Sequence, residues 1–172
     1  MFPNLYGELT ATPIGPVYLQ ASPKGVTCIS LFQLNHGEQA PLTDEAHQAF
    51  KHLTLAMFEV NRYLEGSARV FSFPLDLGTP SSFQASVLAF AQTIPYGEYR
   101  TYAQVARAIG KPGASQAVGY ALSRNPLLLA VPCHRVVGSD GSLHGFAAPD
   151  GIKTKARLLS LEGIKINGEC VI

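Results

Sequence analysis

The chain has 172 residues, 47% of them hydrophobic and 15% charged, with a formal net charge of +1. That apolar fraction excludes a disordered chain and is enough for one domain with a sizeable core, or for two small ones. Its apolar runs, such as the five residues Leu127–Val131, are far too short to span a bilayer. The opening "MFPNLYGELT" has neither the basic stretch nor the apolar core of a secretory signal. The cytoplasm (or nucleoid) is therefore the expected compartment, with no membrane partner. Cys28, Cys133 and Cys170 are an odd number of cysteines at long spacings, giving neither a disulfide framework nor a C-x-x-C zinc pair. The charge is unevenly spread. Residues 1–80 hold four Lys/Arg against seven Asp/Glu, a net −3, and residues 81–172 hold nine against five, a net +4. A modest positive field on the second half suits a polyanion partner.

Residues 5–33 alternate in short apolar segments, "LYGELTAT", "GPVYLQAS" and "GVTCISLFQ". The turn residues "PIG" and "SPKG" separate them, which predicts an antiparallel meander. Residues 35–43 are polar and read as an exposed loop. From Glu45 to Leu64 the period changes: Phe50, Leu53, Met57, Val60 and Leu64 fall on one face of a helix. Thr43 or Asp44 is its expected N-cap and Gly66 its stop. "VFSFPLDL" (70–77) returns to strand period, with Pro74 assigning it to a sheet edge. "GTPSS" (78–82) marks a domain boundary, giving an N-terminal α/β domain over 1–79 and a second domain over 80–172. Beyond it, Phe83, Val87, Phe90 or Ala91, and Ile94 make a helical stripe, and "IPYGEY" is a turn. Thr101 caps a helix through Ile109 with Tyr102, Val105, Ala106 and Ile109 inward. "GKPG" stops it, and a second helix runs from about Ala114 to Ser123.

Helix, glycine-containing turn, helix is the pattern of a DNA-binding helix-turn-helix, and also of any helical hairpin. The second helix is built from small residues, Ala114, Ser115, Ala117, Gly119 and Ala121. Such a helix is poorly suited to reading base edges in a major groove. It is slim enough to lie against a minor groove, or simply to pack closely on another helix. After it, "LLLAV" reads as a buried strand, ended by Pro132 and followed by Cys133, His134 and Arg135. A thiol beside basic groups gains thiolate character and becomes a nucleophile. On an extended chain, however, Cys133 and His134 point to opposite faces. Contact between them then needs a bridging water or a turn. A histidine base needs an orienting carboxylate. Glu98, Asp140, Asp150, Glu162 and Glu169 are available, with Glu162 at the end of a helix from about Thr154, and spacing does not choose among them. Asn125 before Pro126 reads as a turn or as a tie between two loops. Tyr102 reads as a core residue or a site residue.

"IPYGEYRTYAQVARAIGKPGASQAVGYALSRNPLLLAVPCHRVV", followed by "GSLHGF" and "LLSLEG", resembles the O6-alkylguanine-DNA alkyltransferase family over about residues 80–163. The resemblance implies an α+β fold. A small ribonuclease H-like N-terminal sheet with a helix would precede a mostly helical domain carrying a helix-turn-helix. It implies a monomer acting on double-stranded DNA that contains O6-alkylguanine, with the damaged base flipped out of the stack. Cys133 would take the alkyl group irreversibly, His134 would accept the thiol proton through water, and Glu162 would orient that histidine. Tyr102 would donate toward the departing guanine and crowd the phosphate, and Asn125 would tie the helix pair to the active-site loop. Tyr102, Ala114, Ser115, Gln116, Ala117, Gly119 and Arg135 would meet DNA. Pro132, Val136, Ser139, Gly145 and Phe146 would line the pocket. No cofactor and no metal are expected, since Cys28, His36, His47 and His52 do not reproduce the zinc ligands of some members. Gln116 stands where members usually carry an arginine that enters the duplex, Phe146 stands where many have tyrosine, and "AAPDG" (147–151) lengthens the pocket rim. A lesion sensor that binds without chemistry is the alternative. Such members replace the cysteine, and Cys133 is present here. A Cys-His hydrolase lacks any motif for an oxyanion hole, and a plain transcription factor has no need of Pro-Cys-His-Arg.

Overall fold

The computed structural model describes residues 4–34 and 43–172. The expected loop at 35–43, apart from Thr43, and His36 with it, lie outside the described residues. The chain divides into two compact units, Met1–Gly78 and Thr79–Ile172.

In the first unit, β1 (Leu5–Leu9), β2 (Val17–Ser22) and β3 (Gly25–Ser30) form an antiparallel meander in the order β1-β2-β3. Leu5 pairs with Ala21 and Leu9 with Val17, so Val17, Leu19 and Ala21 all face the core. Gly25 closes the β2–β3 turn where no other residue fits: a Cβ there would lie 2.6 Å from the Pro74 carbonyl oxygen. Helix α1 (Asp44–Leu64) covers the sheet, and Thr43 is its cap, accepting from the Ala46 N–H at 3.1 Å. Its buried face is Ala46, Ala49, Leu53, Ala56, Val60, Tyr63 and Leu64. Phe50, expected inward, is 56% exposed. Its neighbour Ala49 takes the inner face instead and is fully buried, and the sheet makes room for Met57 at Gly7, where a Cβ would meet Met57 Sδ at 2.5 Å. The expected strand at 70–77 shrinks to a single parallel bridge between Leu75 and Val26. Pro74 has no N–H to donate, and its carbonyl is the one that accepts from Val26.

In the second unit, α2 (Ser82–Gln92) is capped by Ser81 and buries Val87, Leu88 and Ala91, while Phe83 and Phe90 stay half-buried. A turn leads to β4 (Arg100–Thr101) and then to α3 (Tyr102–Ala108), which starts with a full capping box between Thr101 and Gln104. α3 buries Val105 and Ala106, and Tyr102 and Ile109 are half-buried. Helix α4 (Ser115–Ser123) follows and buries Val118, Ala121 and Leu122. β5 (Val136–Val137) pairs in parallel with β4. α5 (Ile152–Leu161) and a terminal hairpin, β6 (Ile166–Asn167) with β7 (Cys170–Val171), complete the unit. Val137, Leu143, Leu159, Ile164 and Val171 form a core beneath them. Among the described residues, no helix is long and apolar enough to cross a membrane.

Candidate active site

Residues 127–131, expected as a buried strand, form a tight turn instead. The Val131 N–H returns to the Leu127 carbonyl at 2.8 Å, and Leu129 takes a φ of 69°. That left-handed backbone is uncommon for a branched side chain, and Asn125 holds the turn that contains it. Its Oδ1 accepts from the Leu127 N–H at 3.0 Å, and its Nδ2 donates to the Val131 carbonyl at 2.8 Å. The same Nδ2 lies 3.3 Å from Cys133 Sγ. One amide thus ties the end of α4 to the turn and to the thiol.

Cys133, His134 and Arg135 form one turn of 3-10 helix, all three buried. Successive side chains there fan apart by about 120° rather than alternating. The opposition expected from an extended chain does not arise. His134 Nε2 sits 2.9 Å from Glu162 Oε1, so of the five candidate carboxylates the fold brings Glu162 to the histidine. Glu162 is the C-cap of α5 and is itself buried. Its Oε2 also accepts from the Gly97 N–H at 3.2 Å.

Burial dominates the titration of this cluster. It pushes the Cys133 thiol up, opposed by the Asn125 hydrogen bond and the charge of Lys155. Burial pulls His134 down, opposed by Glu162, so the imidazole is favoured over the imidazolium. Tyr102 is pushed up to about 12, first by burial and then by the Cys133 charge, so its phenol remains a donor.

Tyr102, Gly119, Ser123, Gly145, Phe146 and Ala147 surround a small cavity that reaches Cys133. It adjoins an outer cleft of about 760 Å³, where Ser115, Gln116 and Tyr120 of α4 face His144 and Phe146. Gly145 and Phe146 line both spaces. Pro132 is buried next to the thiol, and Val136 is buried in β5. Ser139 is exposed and opens on a different cleft, beside Tyr99, Thr101 and Gln104. Of the expected DNA contacts, Gln116 and Ala117 are exposed, Ala114, Ser115, Gly119 and Tyr102 are half-buried, and Arg135 does not fit. Arg135 is 6% exposed, turned inward onto Glu162 and the Ile94 carbonyl. A buried carboxylate so close outcompetes solvent for the guanidinium.

Sequence reasoning missed Lys155. Its ammonium is buried, donating to the carbonyls of Val136 at 2.6 Å and His144 at 3.3 Å, and it lies 5.7 Å from the Tyr102 ring centre. Burial draws it down to about 8, which leaves it mostly protonated at neutral pH. The signal was its spacing: Lys155 precedes Leu158 and Leu159 by three and four positions, on the apolar face of α5. Tyr120 and His144 were also missed.

Comparison with known proteins finds relatives over most of the chain. A family model described as the DNA-binding domain of 6-O-methylguanine DNA methyltransferase matches residues 82–164. A methylated-DNA–protein-cysteine methyltransferase of Methanosarcina barkeri is 38% identical over 92% of this chain and 97% of its own. The constitutive one of Bacillus subtilis is 37% identical over 92% and 96%. The crystal structure of Mycobacterium tuberculosis O6-methylguanine methyltransferase superposes with a TM-score of 0.78 at 34% identity, covering 93% of both chains. A structure of the Mycobacterium tuberculosis protein in complex with DNA gives 0.77 at 37% identity, covering 91% of both. The class is thus that of transferases that act on DNA with a protein cysteine as acceptor. The chain belongs to the methylated-DNA–protein-cysteine methyltransferase family.

Proposed function

We propose that this chain repairs O6-alkylguanine in DNA directly, by one irreversible transfer of the alkyl group to Cys133. The observation that carries this reading is the Cys133 thiol at the base of a cavity, held by Asn125 with the His134–Glu162 pair beside it. The thiol proton passes through a bridging water to the His134 nitrogen that does not face Glu162. The sulfur then bonds to the alkyl carbon as the carbon–O6 bond breaks and its electron pair enters the guanine ring. Guanine takes up one proton, so thiol and alkylguanine become thioether and guanine. Lys155 favours the thiolate electrostatically, and Tyr102 donates a hydrogen bond toward the departing base. A thioether is a dead end for the acceptor, so one chain repairs one base, without metal or cofactor.

α3 and α4 serve as the helix-turn-helix of this reading. The Gln116 and Ser115 end of α4 faces the minor groove of duplex DNA while the flipped nucleotide enters the outer cleft. The first unit is read as the ribonuclease H-like domain and the second as the alkyltransferase domain, working as a monomer in the cytoplasm or on the nucleoid. A pure lesion sensor has no use for the Cys133 environment.

The test is an intact-mass spectrum after incubation with a duplex carrying one O6-methylguanine, beside Cys133→Ala. The expected result is a gain of one methyl, mapped to Cys133 and absent from the variant. Tight lesion binding without a mass gain would leave a sensor, and neither binding nor gain would remove the DNA reading.

A further inference from the structure

Arg135 follows the thiol and the imidazole in sequence, yet it is buried and is not among the residues lining the cavity at Cys133 or the outer cleft. Its guanidinium is spent on Glu162: Nε donates to Oε2 at 2.8 Å and to Oε1 at 3.1 Å, and Nη2 donates to Oε1 at 2.7 Å. Nη1 donates to the Ile94 carbonyl at 2.6 Å, and the Tyr96 ring lies under the guanidinium with its centre 5.9 Å away. Glu162 Oε1 therefore receives His134 and two Arg135 donors, and Oε2 receives Arg135 and the Gly97 N–H. This matters for His134. A buried carboxylate facing a histidine alone would stabilise the imidazolium, and an imidazolium accepts no proton. A carboxylate already matched by a guanidinium offers the histidine a hydrogen-bond acceptor with most of its charge neutralised.

The geometry points to Arg135 as a positioning residue for alkyl transfer: by saturating Glu162, it leaves that carboxylate able to orient His134 without holding it protonated. The inference rests on the proposed repair function and adds to it how the base is kept ready. The charged groups acting on His134 are Glu162 and Lys155 from the α5 side and Arg135 from its own turn, where Cys133 is the other titratable residue. α2, which also packs on this turn, carries no charged residue. Lys155 acts in the same direction as Arg135, and the charge of Glu162 opposes both.

The experiment measures single-turnover methyl transfer to Cys133 from about pH 5 to about pH 9, spanning the ordinary histidine range. It compares the wild type with Arg135→Met and Arg135→Lys. In Arg135→Met the acidic limb is expected to move to higher pH by about one unit, with the rate recovering as pH rises. In Arg135→Lys, which keeps charge but not the fork, the limb is expected to move part of the way. A loss of equal size at every pH, with the midpoint unmoved, would reduce Arg135 to a packing residue and overturn the inference. If neither variant folds, nitrogen NMR of His134 in the wild type decides. A neutral ring protonated at Nε2 at neutral pH is expected, and an imidazolium overturns the inference. If the wild type transfers no methyl at all, it is the repair reading that falls.

Discussion

Lys155 carries an ammonium group into a buried site, where two carbonyls, a ring face and the charge of the Cys133 sulfur compensate it. Burying a charge is costly, so its place beside the thiol calls for a use, and lowering the Cys133 pKa is the one available. Lys155→Met keeps the volume and removes the charge. Transfer at neutral pH should slow by about tenfold, the equivalent of one unit of thiol pKa. Raising the pH should restore it, read as single-turnover rate against pH. A rate unchanged at every pH would show that the ammonium has no part in activating sulfur. At this scale the sequence was legible where a residue's chemistry travels with its neighbours. Cys133 and His134 stand out in "PCHR", while Asn125 before Pro126 reads as a turn or a loop tie and gains a site role only through the wider resemblance. Arg135 was misread from the same signature, because whether a guanidinium turns outward or inward depends on a carboxylate 27 positions away.

At the scale of elements, local signals were strong where capping and period agree. Thr43 and Thr101 both cap the helices they precede, and the α3–α4 turn falls where "GKPG" stands. They were weak where tertiary geometry decides. Phe50 obeys the helical period yet faces solvent, because the buried stripe runs through Ala46, Ala49 and Leu53 instead. Leu127–Val131 is apolar enough for a strand, but Asn125 bends it into a turn that no apolar pattern encodes. The terminal hairpin went unread although "ING" supplies its turn signal, with Gly168 at a φ of 58°. The exposed end of α4 carries its own prediction. Gln116 brings no charge to the cleft, so Gln116→Arg should tighten binding to alkylated duplex several-fold at low salt, with the gain fading as salt rises. An affinity unchanged at both salt concentrations, measured by fluorescence anisotropy, would mean this end of α4 does not meet DNA.

For the whole molecule, the buried histidine sets an acid boundary. His134 is held below the usual histidine value in the folded state, chiefly by burial. Below about pH 6.5 the unfolded chain therefore binds a proton that the native state refuses, and stability falls as pH falls. The slope from this group is at most about 1.4 kcal/mol per pH unit. Melting curves between neutral pH and about pH 5 should show the decline, and His134→Gln should flatten part of it. A variant as acid-sensitive as the wild type would place the acid-labile group elsewhere.

The Asn125 amide has a consequence that outlasts the reaction. The same Nδ2 serves the Val131 carbonyl and the Cys133 sulfur. Burial keeps the resting sulfur a thiol, and after transfer it carries a methyl that must be housed in a pocket where Cys133 is 7% exposed, so the atoms around it, Asn125 among them, are overpacked. The modified chain should then melt lower than the fresh one, by a few degrees for a loss of about 1 kcal/mol. Calorimetry on half-reacted protein would resolve two populations. The thermogram becomes a tally of past encounters, in which each molecule reports whether it has already met its single lesion.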